Sequence, residues 1–207
     1  SGMYADLSIF SFHPVKHIAA GEGGMITTND EVLYKKIKNL RTHGIQQDQN
    51  LKIENHGIWH YEMQELGYNY RLTDFQAALG LSQLNRAEEG LNRRSEIAKY
   101  YNEKFQNTNF IIRQSGIVTG HAYHLYVIQV QRRDELINHL RKKNIFAQVH
   151  YVPVHLMPYY KQFAWKKGDM PHSESYYSGC LSLPIFPTLT TEEQDFVIST
   201  IFNFFHK

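Results

Sequence analysis

Hydrophobic positions along the chain switch between two periods. Residues 7–12 alternate and are rich in aromatic and branched side chains, which predicts a buried strand ended by Pro14, a residue with no N–H to donate. Residues 25–28 predict a second short strand. The period then becomes helical. Val32, Leu33, Ile37 and Leu40 fall on one face, Asn29 or Asp30 stands at the N-cap, and Gly44 can end the helix with a positive φ. Residues 45–64 are polar and aperiodic and predict a loop. Thr73 or Asp74 next caps a helix whose Phe75, Ala78, Leu79, Leu81 and Leu84 form a predicted core face. Residues 86–105 read as a long helix with Leu91, Ile97, Ala98, Tyr101 and Phe105 inward.

Beyond Asn107 alternation returns. Residues 123–130 predict a strand, 134–143 a capped helix, 147–151 another strand, and 191–204 a final helix capped by Thr190 or Thr191 with Glu193 in reach. This series predicts the α/β class, with a small α/β domain over residues 108–207, a connecting helix over 91–107, and the C-terminal part of a larger domain over 1–90.

Composition narrows the function classes. A chain of 207 residues, 42% hydrophobic and 20% charged, is ordinary for a globular protein with real cores. The formal net charge of +2, without basic blocks interleaved with aromatics, gives no support to a nucleic-acid partner. No apolar run is long enough to span a membrane, and the opening SGMYADLS shows neither the basic nor the apolar region of a signal peptide. Cys180 is the single cysteine, which excludes an internal disulfide and fits a reducing, cytoplasmic location. His43, His56 and His60 match no compact ligand spacing, so no metal site is expected.

The densest chemistry lies in residues 7–24, LSIFSFHPVKHIAAGEGG. Lys16 stands just past the predicted strand end, flanked by Val15, Ile18, Ala19 and Ala20. Two readings are open on spacing alone: a solvated loop lysine, or an amine kept partly neutral by desolvation and ready for Schiff-base chemistry. Ser11 offers a hydroxyl to a phosphate, and Gly21, Gly23 and Gly24 allow a sharp turn or close backbone approach.

The spelling S-F-H-P-V-K-x-I-x-x-G-E-G-G resembles the active-site segment of the DegT/DnrJ/EryC1/StrS sugar aminotransferases, which bind pyridoxal 5'-phosphate (PLP) on the fold-type I scaffold. The resemblance implies that Lys16 is the catalytic lysine that bonds the cofactor and that Ser11 contacts its phosphate. Dehydratases of the same family carry histidine in place of the lysine, so Lys16 favours transamination. Gly67-Tyr68-Asn69-Tyr70-Arg71 resembles the family's G-x-N-x-R motif, which implies that Asn69 reaches the cofactor phosphate of a partner subunit in a homodimer with shared sites. On the residues alone, Asn69 reads as a turn cap.

Residues 148–156, QVHYVPVHL, gather rings beside prolines and resemble the branch of the family that acts on UDP-linked 4-keto-6-deoxy sugars in pseudaminic acid biosynthesis. The resemblance implies substrate-side roles for His150, Tyr151 and His155; packing against the large domain is the other reading. Ser182-Leu183-Pro184 resembles the family's last motif, a structural one. The implied reaction takes an amino group from glutamate to C4 of a UDP-linked keto sugar. The alternatives are a 4-keto-sugar aminotransferase for another sugar nucleotide, or a nucleotide-sugar-binding fragment without catalysis, since the resemblance covers nearly all of this chain but only about the C-terminal half of the family. Ser1 and Gly2 read as vector-derived.

Overall fold

The computed structural model describes residues 3–46, 52–54 and 56–206; Ser1, Gly2 and part of the predicted loop over 45–64 lie outside the described residues. The chain divides into two compact units, Ser1–Ala87 and Glu88–Lys207.

In the first unit, β1 (Ser8–Ser11) pairs antiparallel with β2 (Gly24–Thr27), Ser8 opposite Thr27 and Ser11 opposite Gly24. The predicted strand is present but is not buried: Ile9, Phe10, Met25 and Ile26 are all exposed. Alternation marks which side chains share a face, while burial needs a second layer packed on that face. Helix α1 (Glu31–Arg41) starts at Asp30, whose carboxylate accepts the N–H groups of Val32 and Leu33 at 2.8 and 2.9 Å. Glu31 in the first turn and Lys38 and Arg41 in the last complement the helix dipole. Within the predicted loop, β3 (Ile45–Gln46) and β4 (Glu62–Met63) form a short antiparallel ladder that the polar pattern concealed.

Helix α2 (Asp74–Leu84) has the predicted Thr73 cap, completed into a reciprocal box by Gln76. Its predicted core face is a correction. Phe75 is 91% exposed, Leu79, Leu81 and Leu84 are also exposed, and Gly80 is the buried position of the helix. The small Gly80 is the side turned toward Ala20 of the β1–β2 loop, which leaves the leucines on the outer surface.

The second unit holds the main core. Helix α3 (Ala87–Phe105) buries Ile97, Ala98, Tyr101 and Phe105. Strands β5 (Ile111–Gln114), β6 (Tyr126–Val130) and β7 (Cys180–Leu183) form an antiparallel sheet in the order β5-β6-β7. The observed β6 is shorter than predicted, and its Tyr126, Ile128 and Val130 are buried on one face by the two-residue alternation. All four residues of β7 are buried.

Helices α4 (Arg133–Arg141) and α6 (Thr191–Phe205) close the core with Leu136, Leu140, Val197, Ile198 and Ile201. The capping box of Thr190 and Glu193 opens α6 as predicted, whereas α4 begins after Arg132 in a left-handed conformation with no side-chain cap. The predicted strand over 147–151 is reduced to one bridge between Gln148 and Ser182, because Pro153 and the 3-10 turns Val154–Leu156 and Pro158–Phe163 follow at once. Helix α5 (Pro171–Gly179) leads into β7. Among the described residues no helix is long and apolar enough to cross a membrane.

Candidate active site

Lys16 sits in the loop that joins β1 to β2. The loop is closed at its neck by the Phe12 N–H donating to Gly23 O and the Ala20 N–H donating to Phe12 O, both at 2.9 Å. Inside it, the Lys16 N–H donates to His13 O at 2.9 Å, and the His13 imidazole accepts the Val15 N–H at 3.4 Å. The turn after Pro14 is thus held by its own backbone and one ring. Lys16 is half-buried; of its apolar flanks Val15 is exposed, Ile18 and Ala19 are half-buried and Ala20 is buried.

Ser11 is the last residue of β1. Its Oγ accepts the His13 N–H at 3.4 Å, which leaves the hydroxyl proton to donate elsewhere. The structure therefore brings Ser11 and Lys16 onto opposite ends of one short turn.

Asn69 is placed by two glycines. Gly44 has φ +70°, and a Cβ there would lie 1.8 Å from Glu65 O; a Cβ on Gly67 would lie 2.1 Å from Gly44 N. Only glycine at both positions lets the two backbones run this close. Three backbone bonds use the approach: His43 N–H to Tyr68 O, Tyr68 N–H to Leu40 O and Tyr70 N–H to Arg41 O, at 2.7–3.0 Å. Asn69 forms an antiparallel bridge with Thr42, and its side chain is exposed. Tyr68 and Tyr70 stack with centroids 4.8 Å apart, on the face opposite the asparagine by strand alternation.

In the second unit, the His150 Nδ1 lies 2.8 Å from Ser182 Oγ, and the Gln148–Ser182 bridge holds the two backbones together. Tyr151 packs edge-on against His150 with centroids 4.7 Å apart and is 70% exposed, so its phenol faces solvent. His155 is 8% exposed, with Nε2 2.9 Å from Glu174 Oε1. That carboxylate oxygen also accepts the Gly168 N–H at 2.7 Å and the Met170 N–H at 3.4 Å. The His155 bond, followed by the Gly168 N–H, holds the Glu174 carboxyl below its usual pKa. His155 thus ties the 3-10 turn to the start of α5, apart from the exposed face of Tyr151.

Sequence reasoning missed Ser182, Glu174 and Gln76 as partners of site segments. Only the N3 spacing of Gln76 after Thr73 carried a local signal. Among the described residues no group of three or more His, Cys, Asp or Glu is placed to hold a metal ion; His56 and His60 are instead held by Glu54 and Glu62.

The DegT/DnrJ/EryC1/StrS aminotransferase family model matches residues 1–202. The chain belongs to this family. Curated relatives include the spore coat polysaccharide biosynthesis protein SpsC of Bacillus subtilis, 41% identical over 97% of this chain and 54% of that protein. Another is the UDP-4-amino-4,6-dideoxy-N-acetyl-beta-L-altrosamine transaminase of Campylobacter jejuni, 36% identical over 100% of this chain and 54% of that protein.

Among solved structures, Helicobacter pylori PseC, an aminotransferase of pseudoaminic acid biosynthesis, superposes with a TM-score of 0.88 at 30% identity, over 98% of this chain and 54% of that one. The PLP-form of Spr1654 from Streptococcus pneumoniae gives 0.85 at 30% identity, over 97% of this chain and 52% of that one. The fold is therefore that of the C-terminal half of a fold-type I aminotransferase of this family, and the chain spans about half the length of the relatives it matches.

Proposed function

We propose that this chain carries the lysine-bearing part of a PLP-dependent aminotransferase that moves the amino group of glutamate to C4 of a UDP-linked 4-keto-6-deoxy-N-acetyl-hexosamine. The observation that carries the reading is the Ser11–Lys16 turn at the end of β1, in a chain 36% identical to an altrosamine transaminase. On this reading residues 1–90 belong to the cofactor-binding domain, 91–107 to the connecting helix and 108–207 to the small domain.

The donor set fits such a cofactor. Lys16 supplies a primary amine, Ser11 an O–H donor for a phosphate oxygen, and Asn69 an exposed amide N–H₂ for the phosphate of a partner subunit in a homodimer. When bound, PLP supplies an electron sink for the carbanion formed at the amino-bearing carbon. Lys16 Nζ removes the proton from the glutamate Cα and, in the second half of the cycle, delivers a proton to C4 of the sugar. Tyr151 offers its phenol to the sugar nucleotide, with His150 fixing its ring and His155 fixing the segment that follows.

The test is to incubate the chain with PLP, reduce with borohydride and map the modified peptides by mass spectrometry. A pyridoxyl group on Lys16 alone is the expected result. An unlabelled Lys16 in the protein from the complete reading frame overturns the assignment. Amine transfer from glutamate to the keto sugar by that protein, abolished by Lys16→Ala without loss of fold, tests the substrate reading; sugar binding without transfer would favour the non-catalytic alternative.

A further inference from the structure

The cap of α2 contains one bond more than a capping box requires. Thr73 Oγ1 accepts the Gln76 N–H at 3.3 Å, and Gln76 Oε1 accepts both the Thr73 N–H at 3.1 Å and the Thr73 hydroxyl at 3.0 Å. The amide oxygen is therefore committed to the cap. The amide nitrogen points the other way and donates to Glu22 O at 2.9 Å.

Glu22 lies in the returning limb of the Lys16 loop, directly before Gly23, whose carbonyl closes the loop neck on Phe12. Two further contacts join the same surfaces. A Cβ on Gly23 would lie 2.7 Å from Leu72 Cδ1, and one on Gly80 would lie 3.8 Å from the Ala20 Cβ.

Glutamate serves at N3 of a capping box as well as glutamine does, and its charge adds a favourable interaction with the helix dipole. Only an amide can accept in the cap and donate to a carbonyl at the same time. The Glu22 carbonyl is thus the physical reason for glutamine at position 76. We propose that Gln76 is a positioning residue that ties the Lys16 loop to the start of α2, and through residues 69–73 keeps Lys16 and Asn69 in one fixed frame. The proposal rests on Lys16 being the cofactor lysine.

Gln76→Glu separates the two duties, since it keeps the cap and loses the donor. Thr73→Ala does the reverse, removing the cap hydroxyl while leaving the amide free to reach Glu22. Hydrogen exchange followed by mass spectrometry on peptides covering 12–24 and 74–84 reads both. The expected result for Gln76→Glu is exchange about fivefold to tenfold faster in the loop, with the helix unchanged, as the loss of one hydrogen bond predicts.

For Thr73→Ala the helix start should loosen and the loop should not. Loop exchange at the wild-type rate in Gln76→Glu, or equal loosening of the loop by both variants, overturns the tether. The rate of pyridoxyl labelling of Lys16 should also fall severalfold in Gln76→Glu, and equal rates would overturn the positioning role. Absence of label in the wild-type complete protein, with exchange split as expected, would overturn the cofactor reading while the tether stands.

Discussion

Replacing Gly67 with alanine tests how Asn69 is placed. The new methyl would meet Gly44 N at 2.1 Å, the His43 carbonyl carbon at 2.5 Å and Gly44 Cα at 2.9 Å. All three are backbone atoms, so no side chain can swing aside. Non-bonded carbon contacts settle near ~3.5 Å, so residues 65–70 must retreat from the end of α1 by about 1 Å. The three backbone bonds across the gap are 2.7–3.0 Å long, and such a shift takes each of them past hydrogen-bonding range. At about 1 kcal/mol net per bond, the local opening free energy falls by about 3 kcal/mol.

The assay is amide exchange at Tyr68 and Tyr70, whose N–H groups donate across the gap. Exchange should accelerate about a hundredfold. The same change at Gly90 is the counterpart. A Cβ there meets Pro187 Cγ at an ordinary 3.6 Å inside α3, so Gly90→Ala should stabilise the second unit by about 0.5–1 kcal/mol. Unchanged protection of Tyr68 and Tyr70 in Gly67→Ala would refute the argument that close backbone approach positions Asn69.

Arg94 is 6% exposed and donates to Tyr123 O and Ile185 O at 3.0 Å. Arg94→Met leaves these carbonyls without their donor and, after the relief of a buried charge, should cost about 3 kcal/mol by urea unfolding; a loss under about 1 kcal/mol would contradict it. Glu62 accepts the N–H groups of Ile53 and Glu54, and these bonds, with His60, lower its carboxyl from 4.5 to about 2. A depressed carboxyl stabilises the fold fully above its unfolded value, so this contribution is lost as pH falls from about 4.5 towards 2. The Ile53 and Glu54 amide shifts should titrate with a midpoint near 2, and a midpoint near 4.5 would show that the bonds do not persist in solution. Glu174→Ala removes the shared partner of His155, Gly168 and Met170, so trypsin should cut after Lys161, Lys166 and Lys167 severalfold faster; an unchanged digest would count against that anchor.

The starts of three helices were legible in the sequence because capping is local chemistry. Asp30, Thr73 and Thr190 each satisfy N–H groups two or three residues ahead, and no distant residue is needed. Four of the five residues predicted inward on α3 were legible as well, since Ile97, Ala98, Tyr101 and Phe105 follow the helical period and do lie in the core, whereas Leu91 is only half-buried and the polar Arg94 and Asn102 are buried instead. The ladder of β3 with β4 was not, because its two short strands meet only through pairing across the polar stretch between them.

The sequence by itself narrowed three helix caps to a pair of neighbouring residues each, and determined the helical period of α3 and the motif residues Ser11, Lys16 and Asn69, all properties of neighbours in the chain. Tertiary structure decided which apolar faces are covered: the period that buries α3 leaves Phe75 and Leu79 of α2 exposed. It also decided that β7 is buried on both faces: the alternation of Leu181 and Leu183 accounts for one face, and Cys180 and Ser182 on the other are buried too in a strand paired with β6 and bridged by Gln148. The partners of the candidate site residues, Ser182 for His150, Glu174 for His155 and the Glu22 carbonyl for Gln76, lie 32, 19 and 54 positions away. Hydrogen bonds over such separations depend on where the backbone returns in space, which local pattern does not encode.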